Sequence, residues 1–518
     1  MQRKVRKSEA GGVDPNFSSF ATSRFHRTPL ATAALLAILT LHSAHALPTS
    51  SDGTTTTLDL SSSIAEQFPE PLDPGLQYDQ TYAGTEVDKG KLNSIYRIDL
   101  PAANSQHLFS DSLAAQTMSA DSSAIKLKVT SMDGIKGFLF ANYADFNSTN
   151  VVANGGLLHI QLNNSSDGAQ PYVYEGVDYK TLNPQSNVAT VALHSSNGAT
   201  DNQLYIQDSA ITLQTEGKTG RGWQASAVNI ANITGDVTGN IAVIDNSRIL
   251  YDEGTDQYSD TRIRLGAVNL TKVNKEISVS DNQLWVTDSA LDINSLYAVS
   301  IYYSGYGKTK ADNNTVYVTD SLLTLNPYVD PNVRDAHEGI YAVASATEAN
   351  GNWLEITNSS LTVLNCEDPT IQYIETVKGA KSAQGNTLIV RNSDITSKST
   401  IYFSAATVNH SQGADFANGN SVFIGSTDKD NQMTITHEQD GTLTFVYGGR
   451  VYSTDSGKTV QANTNQISIE NLSINNNAQI IGGYIWGNGS NGDASGNQLT
   501  ISNSIFSGDA TGGTVFAG

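Results

Sequence analysis

The sequence predicts an all-β fold, a parallel β-solenoid built from stacked rungs of about three strands each. Three observations carry that expectation. A short phrase recurs along most of the chain. Apolar residues alternate by two within it. The residue type at each place in the phrase stays nearly constant from copy to copy.

The phrase is plainest in "DNQLYIQDSAITL" (Asp201 to Leu213) and "DNQLWVTDSALDI" (Asp281 to Ile293). With Asn202 as anchor, equivalent positions are Asn240, Asn282, Asn314, Asn352, Asn386, Asn420, Asn465 and Asn497, spaced by 38, 42, 32, 38, 34, 34, 45 and 32 residues. A constant core joined by loops of variable length gives such jitter.

Two residues after the anchors stand Leu204, Ala242, Leu284, Val316, Leu354, Leu388, Val422, Ile467 and Leu499. Four after them every residue is β-branched: Ile206, Ile244, Val286, Val318, Ile356, Val390, Ile424, Ile469 and Ile501. Alternation by two with β-branched side chains marks a strand with one buried face.

Six and seven residues after the anchor comes a polar pair, such as Asp208-Ser209, Asp288-Ser289, Asn358-Ser359 and Asn503-Ser504. Asp and Asn bond to nearby backbone and tolerate tight bends, so the pair reads as a corner. Nine after the anchor an apolar residue opens a second strand, at Ile211, Ile249, Leu291, Leu323, Leu361, Ile395, Ile474 and Phe506; the copy anchored at Asn420 breaks the pattern with Lys429. A third apolar segment follows, as in "LYAVSIYY" from Leu296, "GIYAVASA" from Gly339, "TIYFSAAT" from Thr400 and "IIGGYIWG" from Ile480. A Gly/Asn-rich tract then leads to the next anchor.

One such unit cannot bury its own apolar face; a stack can. Each strand then pairs with its counterpart one rung away, about 4.8 Å along the stack. The invariant Asn fits this picture, because an amide both donates and accepts and can form a ladder at a turn. A β-propeller has a similar period, but its blades need four antiparallel strands and close after about eight. A β-sandwich gives no such columns.

The chain divides into three stretches. Residues 1–46 read as a long secretion signal. Arg3, Lys4, Arg6, Lys7, Arg24 and Arg27 precede the apolar run "LATAALLAILTL" (Leu30 to Leu41), and Ala44-His45-Ala46 is a small-x-small cleavage pattern. The run is shorter than the roughly 20 residues that span a bilayer. Residues 47–150 read as an irregular leader, with Pro48, Pro69, Pro71 and Pro74 close together, and with first rungs from Ala124. Residues 151–518 read as the repeats. The final "GDATGGTVFAG" restarts a unit and stops partway, which suggests a truncated reading frame.

The chain has 518 residues and a formal charge of -21, and without the leader's six basic and two acidic residues about -25. Such a charge repels phosphate backbones and disfavours nucleic acid as a partner. The single cysteine, Cys366, leaves no internal disulfide, so stability must come from packing.

The basic leader, the scarcity of Cys and Gly/Asn-rich rungs such as "GDASGNQLTISNSIFSG" (Gly492 to Gly508) resemble the passenger domains of Gram-negative autotransporters. The resemblance implies a right-handed parallel β-helix, export through the inner membrane, and display at the cell surface or release. Its partners would be proteins or glycans of host or neighbouring cells. It also implies a C-terminal membrane barrel, which this sequence lacks; the outer membrane would be reached only through a barrel in a longer parent chain.

Motifs for chemistry are sparse. Polygalacturonase-like Asn-Thr-Asp, Asp-Asp and Gly-His-Gly signatures are absent, as is a serine-protease Gly-Asp-Ser-Gly. The Gly-Lys-Thr triplets at Gly217, Gly307 and Gly457 lack the earlier Gly of a phosphate loop, because Thr212, Tyr302 and Tyr452 stand there. Asp428, Asp430 and Asn431 hint at a calcium loop without its Gly and distant Glu. No catalytic residue, metal or cofactor is therefore expected.

One column invites a binding role. Three after the anchor stand Tyr205, Trp285, Tyr317 and Phe423, pointing away from the core by alternation. If exposed, these rings could stack on sugars or anchor a protein. The expectation is an adhesin-like binding module. The alternatives are a β-helical polysaccharide lyase or hydrolase, and a passive stalk.

Overall fold

The structure is a computed structural model. It describes residues 186–207, 210–213, 223–251, 263–304, 309–325, 339–364, 371–409, 415–453, 459–487, 491–508 and 514–516, and N-terminal to them the backbones of strands between Thr55 and Tyr174. The signal expected at residues 1–46, Cys366 and the glycines Gly217, Gly307 and Gly457 lie outside the described residues.

The chain coils as a parallel β-solenoid. The rung anchored at Asn282 shows the path: Ile277–Ser280, then Gln283–Thr287, then Ala290–Ile293, then Ser295–Ser304. Each strand joins a sheet running along the stack. In order of passage the four sheets hold 10, 12, 10 and 14 strands. Among the described strands all pairings are parallel except that of Gln77–Asp79 with Asn93–Asp99. Thr55–Asp59 and Ala124–Val129 are the first two strands of the second sheet, so coil-on-coil pairing already includes part of the stretch read as a leader.

A rung thus has four strands rather than three. The additional one is the Gly/Asn-rich tract before each anchor, which forms a strand of only two to four residues. Too short to show alternation, it reads as loop in the sequence.

Register is position for position. Ile244 lies beside Val286, Val286 beside Val318 and Val318 beside Ile356. The two predicted apolar columns of the second sheet point inward and are buried from Leu204 to Ile469. Ile249, Leu291, Leu323, Leu361, Ile395 and Ile474 join them from the third sheet. In the rung anchored at Asn420 an exposed turn containing Lys429 is inserted at the corner. The column resumes at Ile435, paired with Ile395 and Ile474. At the last rung the same columns emerge, and Ile501, Ile505 and Phe506 are exposed.

Two polar ladders hold the bends. Each anchor amide donates through Nδ2 to the Oδ1 of the next anchor, from Asn202 to Asn240 (2.8 Å) through to Asn465 and Asn497 (3.0 Å). The same Oδ1 also receives the preceding anchor's backbone N–H, as Asn282 N to Asn314 Oδ1 (3.1 Å). Nδ2 of Asn314 further donates to the Val279 carbonyl (2.9 Å), so a fully buried amide uses all its groups. At the corner, Ser289 N donates to Ser321 Oγ (3.1 Å), and Ser321 Oγ donates to the Thr319 carbonyl (2.7 Å). The residue before each of these serines is left-handed, with φ of 45° at Asn246, 46° at Asp288, 50° at Asp320 and 49° at Asn392. Asn and Asp tolerate that region better than other side chains do.

His437 closes the irregular rung. Nε2 lies 2.7 Å from Thr444 Oγ1 and Nδ1 3.0 Å from Thr442 Oγ1. Burial pushes its pKa down to about 4, against a hydrogen bond that the ring donates to the Ser399 backbone.

Two outcomes follow from these contacts. Asn314→Ala strips the acceptor from two Asn282 donors and the donor from Val279, and should lower unfolding free energy by about 3 kcal/mol in urea titration. His437 is neutral when folded. Its contribution is complete above the unfolded pKa near 6.5, declines as pH falls towards 4 and is constant below that. Wild type should therefore lose about 2 kcal/mol more than His437→Gln between pH 7.5 and 4.5, read as urea midpoints.

Candidate functional site

The outward column of the second sheet is not an open face. Tyr205, Trp285 and Phe423 are 1%, 6% and 3% exposed, and Tyr317 is half-buried. These rings point away from the core, as alternation expects, without being open to water. The reason lies in the stack: at about 4.8 Å per rung each side chain is clasped by those above and below. Val243 lies between Tyr205 and Trp285, and Ile389 runs up to Phe423. Large rings in consecutive places then cover one another. The Trp285 and Tyr317 centroids are 4.3 Å apart, and Trp285 Nε1 donates to Gln283 Oε1 (2.9 Å). Burial pushes the Tyr205 phenol up to about 12, and burial with the nearby Glu355 carboxylate raises that of Tyr317.

The column continues into charge at Glu355, which pairs with the Arg391 guanidinium, both nearly buried. Glu355 also accepts from Trp353 Nε1 and Thr357 Oγ1, each at 3.1 Å. This arrangement satisfies a buried carboxylate and makes a structural clamp across rungs.

A run of rings that reach the surface lies on the fourth sheet. Its outward positions carry Tyr297 and Tyr341, stacked at 5.7 Å and buried. Beyond them the rungs carry Tyr373, Tyr402, Phe445, Tyr452 and Tyr484, all half-buried, and Trp486, which is 51% exposed. Tyr402 stacks on Phe445 at 4.4 Å, Phe445 lies 6.0 Å from the buried Tyr447, and Tyr447 lies 5.4 Å from Tyr484. The segments quoted from the sequence held Tyr297, Tyr341, Tyr402, Tyr484 and Trp486, but not Tyr373, Phe445, Tyr447 or Tyr452. Their register relative to the anchor was hidden by loops of unequal length.

Charges sit inside this strip. The Arg450 guanidinium lies 4.7, 5.0 and 4.3 Å from the ring centroids of Tyr402, Tyr447 and Tyr452. The Lys378 ammonium lies 4.3 Å from that of Tyr373. Glu375 is fully buried and accepts from Thr407 Oγ1 at 2.6 Å. Burial raises its carboxyl above the usual range, while Lys378, Arg450 and the Thr407 hydroxyl pull it back.

Elsewhere the polar features are modest. Asp428 and Asp430 stand in an exposed turn where Asp428 Oδ1 receives the Asp430 N–H at 3.0 Å. Beside it a recess of about 380 Å³ is lined by Lys429, Asp430, Gln432, Asn471, Asn503, Ser504 and Ile505. Among the described residues no three His, Cys, Asp or Glu gather as a metal site, and no helix is long and apolar enough to cross a membrane.

Removing one member of the clamp strands the other. Arg391→Met should cost about 3–5 kcal/mol in urea titration, and Glu355→Leu in the same chain should restore much of that loss.

Comparison with protein-family models, with curated proteins and with solved structures finds no match to this chain.

Proposed function

We propose that the chain is an exported binding protein, adhesin-like and of the autotransporter-passenger kind, displayed at the cell surface or released. One observation carries the reading: rings come to the surface in a continuous strip on the outer face of the fourth sheet, at Tyr373, Tyr402, Phe445, Tyr452, Tyr484 and Trp486. Exposed aromatic surface is unfavourable in water unless a partner covers it, and aromatic side chains dominate the energetics of recognition surfaces. A stiff scaffold adds to this, since rungs locked in register lose little conformational freedom on binding. The partner is a glycan or protein of another cell.

A second reading, a carbohydrate-active enzyme, draws on the grouping of Glu375, Lys378 and Arg450 beside Tyr402 and Tyr447. A carboxyl raised by burial can serve as a general acid. Full burial of Glu375 places it beneath the surface that a substrate would touch, and this favours binding over turnover.

The purified chain should bind glycan arrays or intact cells. The double variant Tyr402→Ala with Phe445→Ala should reduce that binding at least tenfold while circular dichroism stays that of a β protein. Equal binding by wild type and variant would remove the strip from the reading. Chain-dependent cleavage of an acidic polysaccharide, abolished in Glu375→Gln, would replace it with the enzyme.

A further inference from the structure

We propose that Trp486, Tyr452 and Tyr484, with Arg450 beneath them, form a subsite for an anionic sugar residue. This rests on the binding reading above and names its ligand class. Within most of the strip the rings lie face to face, as Tyr402 on Phe445 with 18° between planes, and so cover each other. At its end the geometry changes. Tyr452 meets Trp486 at 64° and Tyr484 at 71°, with centroids 5.7 and 6.4 Å apart. Edge-on contact does not cover the faces of Trp486, the most exposed ring of the strip, while Arg450 lies over one face of Tyr452. Register fixes the group: Trp486 lies beside Tyr452, and Tyr484 beside Arg450, on adjacent strands of the fourth sheet. Open ring faces suit the C–H face of a pyranose, and the phenols of Tyr452 and Tyr484 add hydrogen bonding for its hydroxyls.

The sign of the ligand comes from Arg450. Arg450 is 8% exposed, and its guanidinium is held against Tyr402, Tyr447 and Tyr452. It makes no ion pair among the described residues, and its Nε has no hydrogen-bond partner. Glu375 attracts both Arg450 and Lys378, so two cations stand against one buried carboxyl. A desolvated cation under open rings, in a chain of net charge -21, is a local positive island. It favours a carboxylate or sulfate on the sugar over a hydroxyl. Among the described residues the patch offers rings, phenols and one guanidinium, groups that suit a sugar better than the aliphatic side chains of a protein partner.

The test measures binding of the full chain to three immobilised probes of equal length: a hexuronic acid oligomer, a sulfated hexose oligomer and the neutral hexose oligomer. Expected are binding to one or both anionic probes at least tenfold tighter than to the neutral one and weakening as salt rises. Trp486→Ala should lose at least tenfold, and Trp486→Phe should recover part of that. Trp486 is exposed, so melting temperature serves as the control for folding and should not move. Equal affinity for charged and neutral probes, or an unaffected Trp486→Ala, overturns the subsite. If binding then still falls in the Tyr402→Ala, Phe445→Ala variant, the broader binding reading stands without it. Absence of binding to every glycan and cell tested overturns both.

Discussion

Every feature of this molecule depends on one interaction, the hydrogen-bonded ladder of buried anchor asparagines. A β-branched column inside a solenoid is apolar and without direction; it would tolerate a slip of the chain along the axis. The amide does not. From Asn240 to Asn497 each Oδ1 takes the side-chain amide and backbone N–H of its predecessor, so a rung displaced by one residue strands several buried donors. The hydrophobic columns supply the driving force, and the ladder supplies the register that lets them stack.

The same repetition that orders the core reshapes the surface. In an ordinary antiparallel sheet, a residue pointing away from the core meets water. In a parallel stack it also meets its counterparts in adjacent rungs, and where these are large the outward column becomes a second packed layer. Tyr205, Val243, Trp285 and Ile389 form such a layer on the second sheet, and Glu355 with Arg391 extend it in polar form. Among the described residues ring exposure is greatest at Trp486, whose contact with Tyr452 is edge-on.

Charge follows a related logic. The chain is strongly acidic, yet Arg450 and Lys378 lie against tyrosine rings and share the buried Glu375 carboxyl between them. Ring quadrupoles hold a cation without neutralising it, so its positive potential persists at the surface. A stiff, acidic solenoid surface with a locally positive aromatic patch would discriminate among ligands by sign as well as by shape.

The fold was legible because a solenoid is close to one-dimensional. The anchor, the β-branched column and the Asx-Ser corner each recur at fixed offsets, and offsets within a rung survive any change in loop length. Alternation could say that Trp285 and Tyr317 leave the core. It could not say whether they meet water, since that depends on which residues lie 4.3 Å away in the adjoining rung. The fourth strand was invisible because two to four residues cannot display a period. The aromatic strip escaped notice because loops of unequal length separate its rings from the anchor. Sequence alone determined the coil, its register and its buried columns, because like residues must stack on like. Tertiary structure decided which outward side chains remain open, because exposure is set by neighbours that the sequence places some thirty to forty residues away.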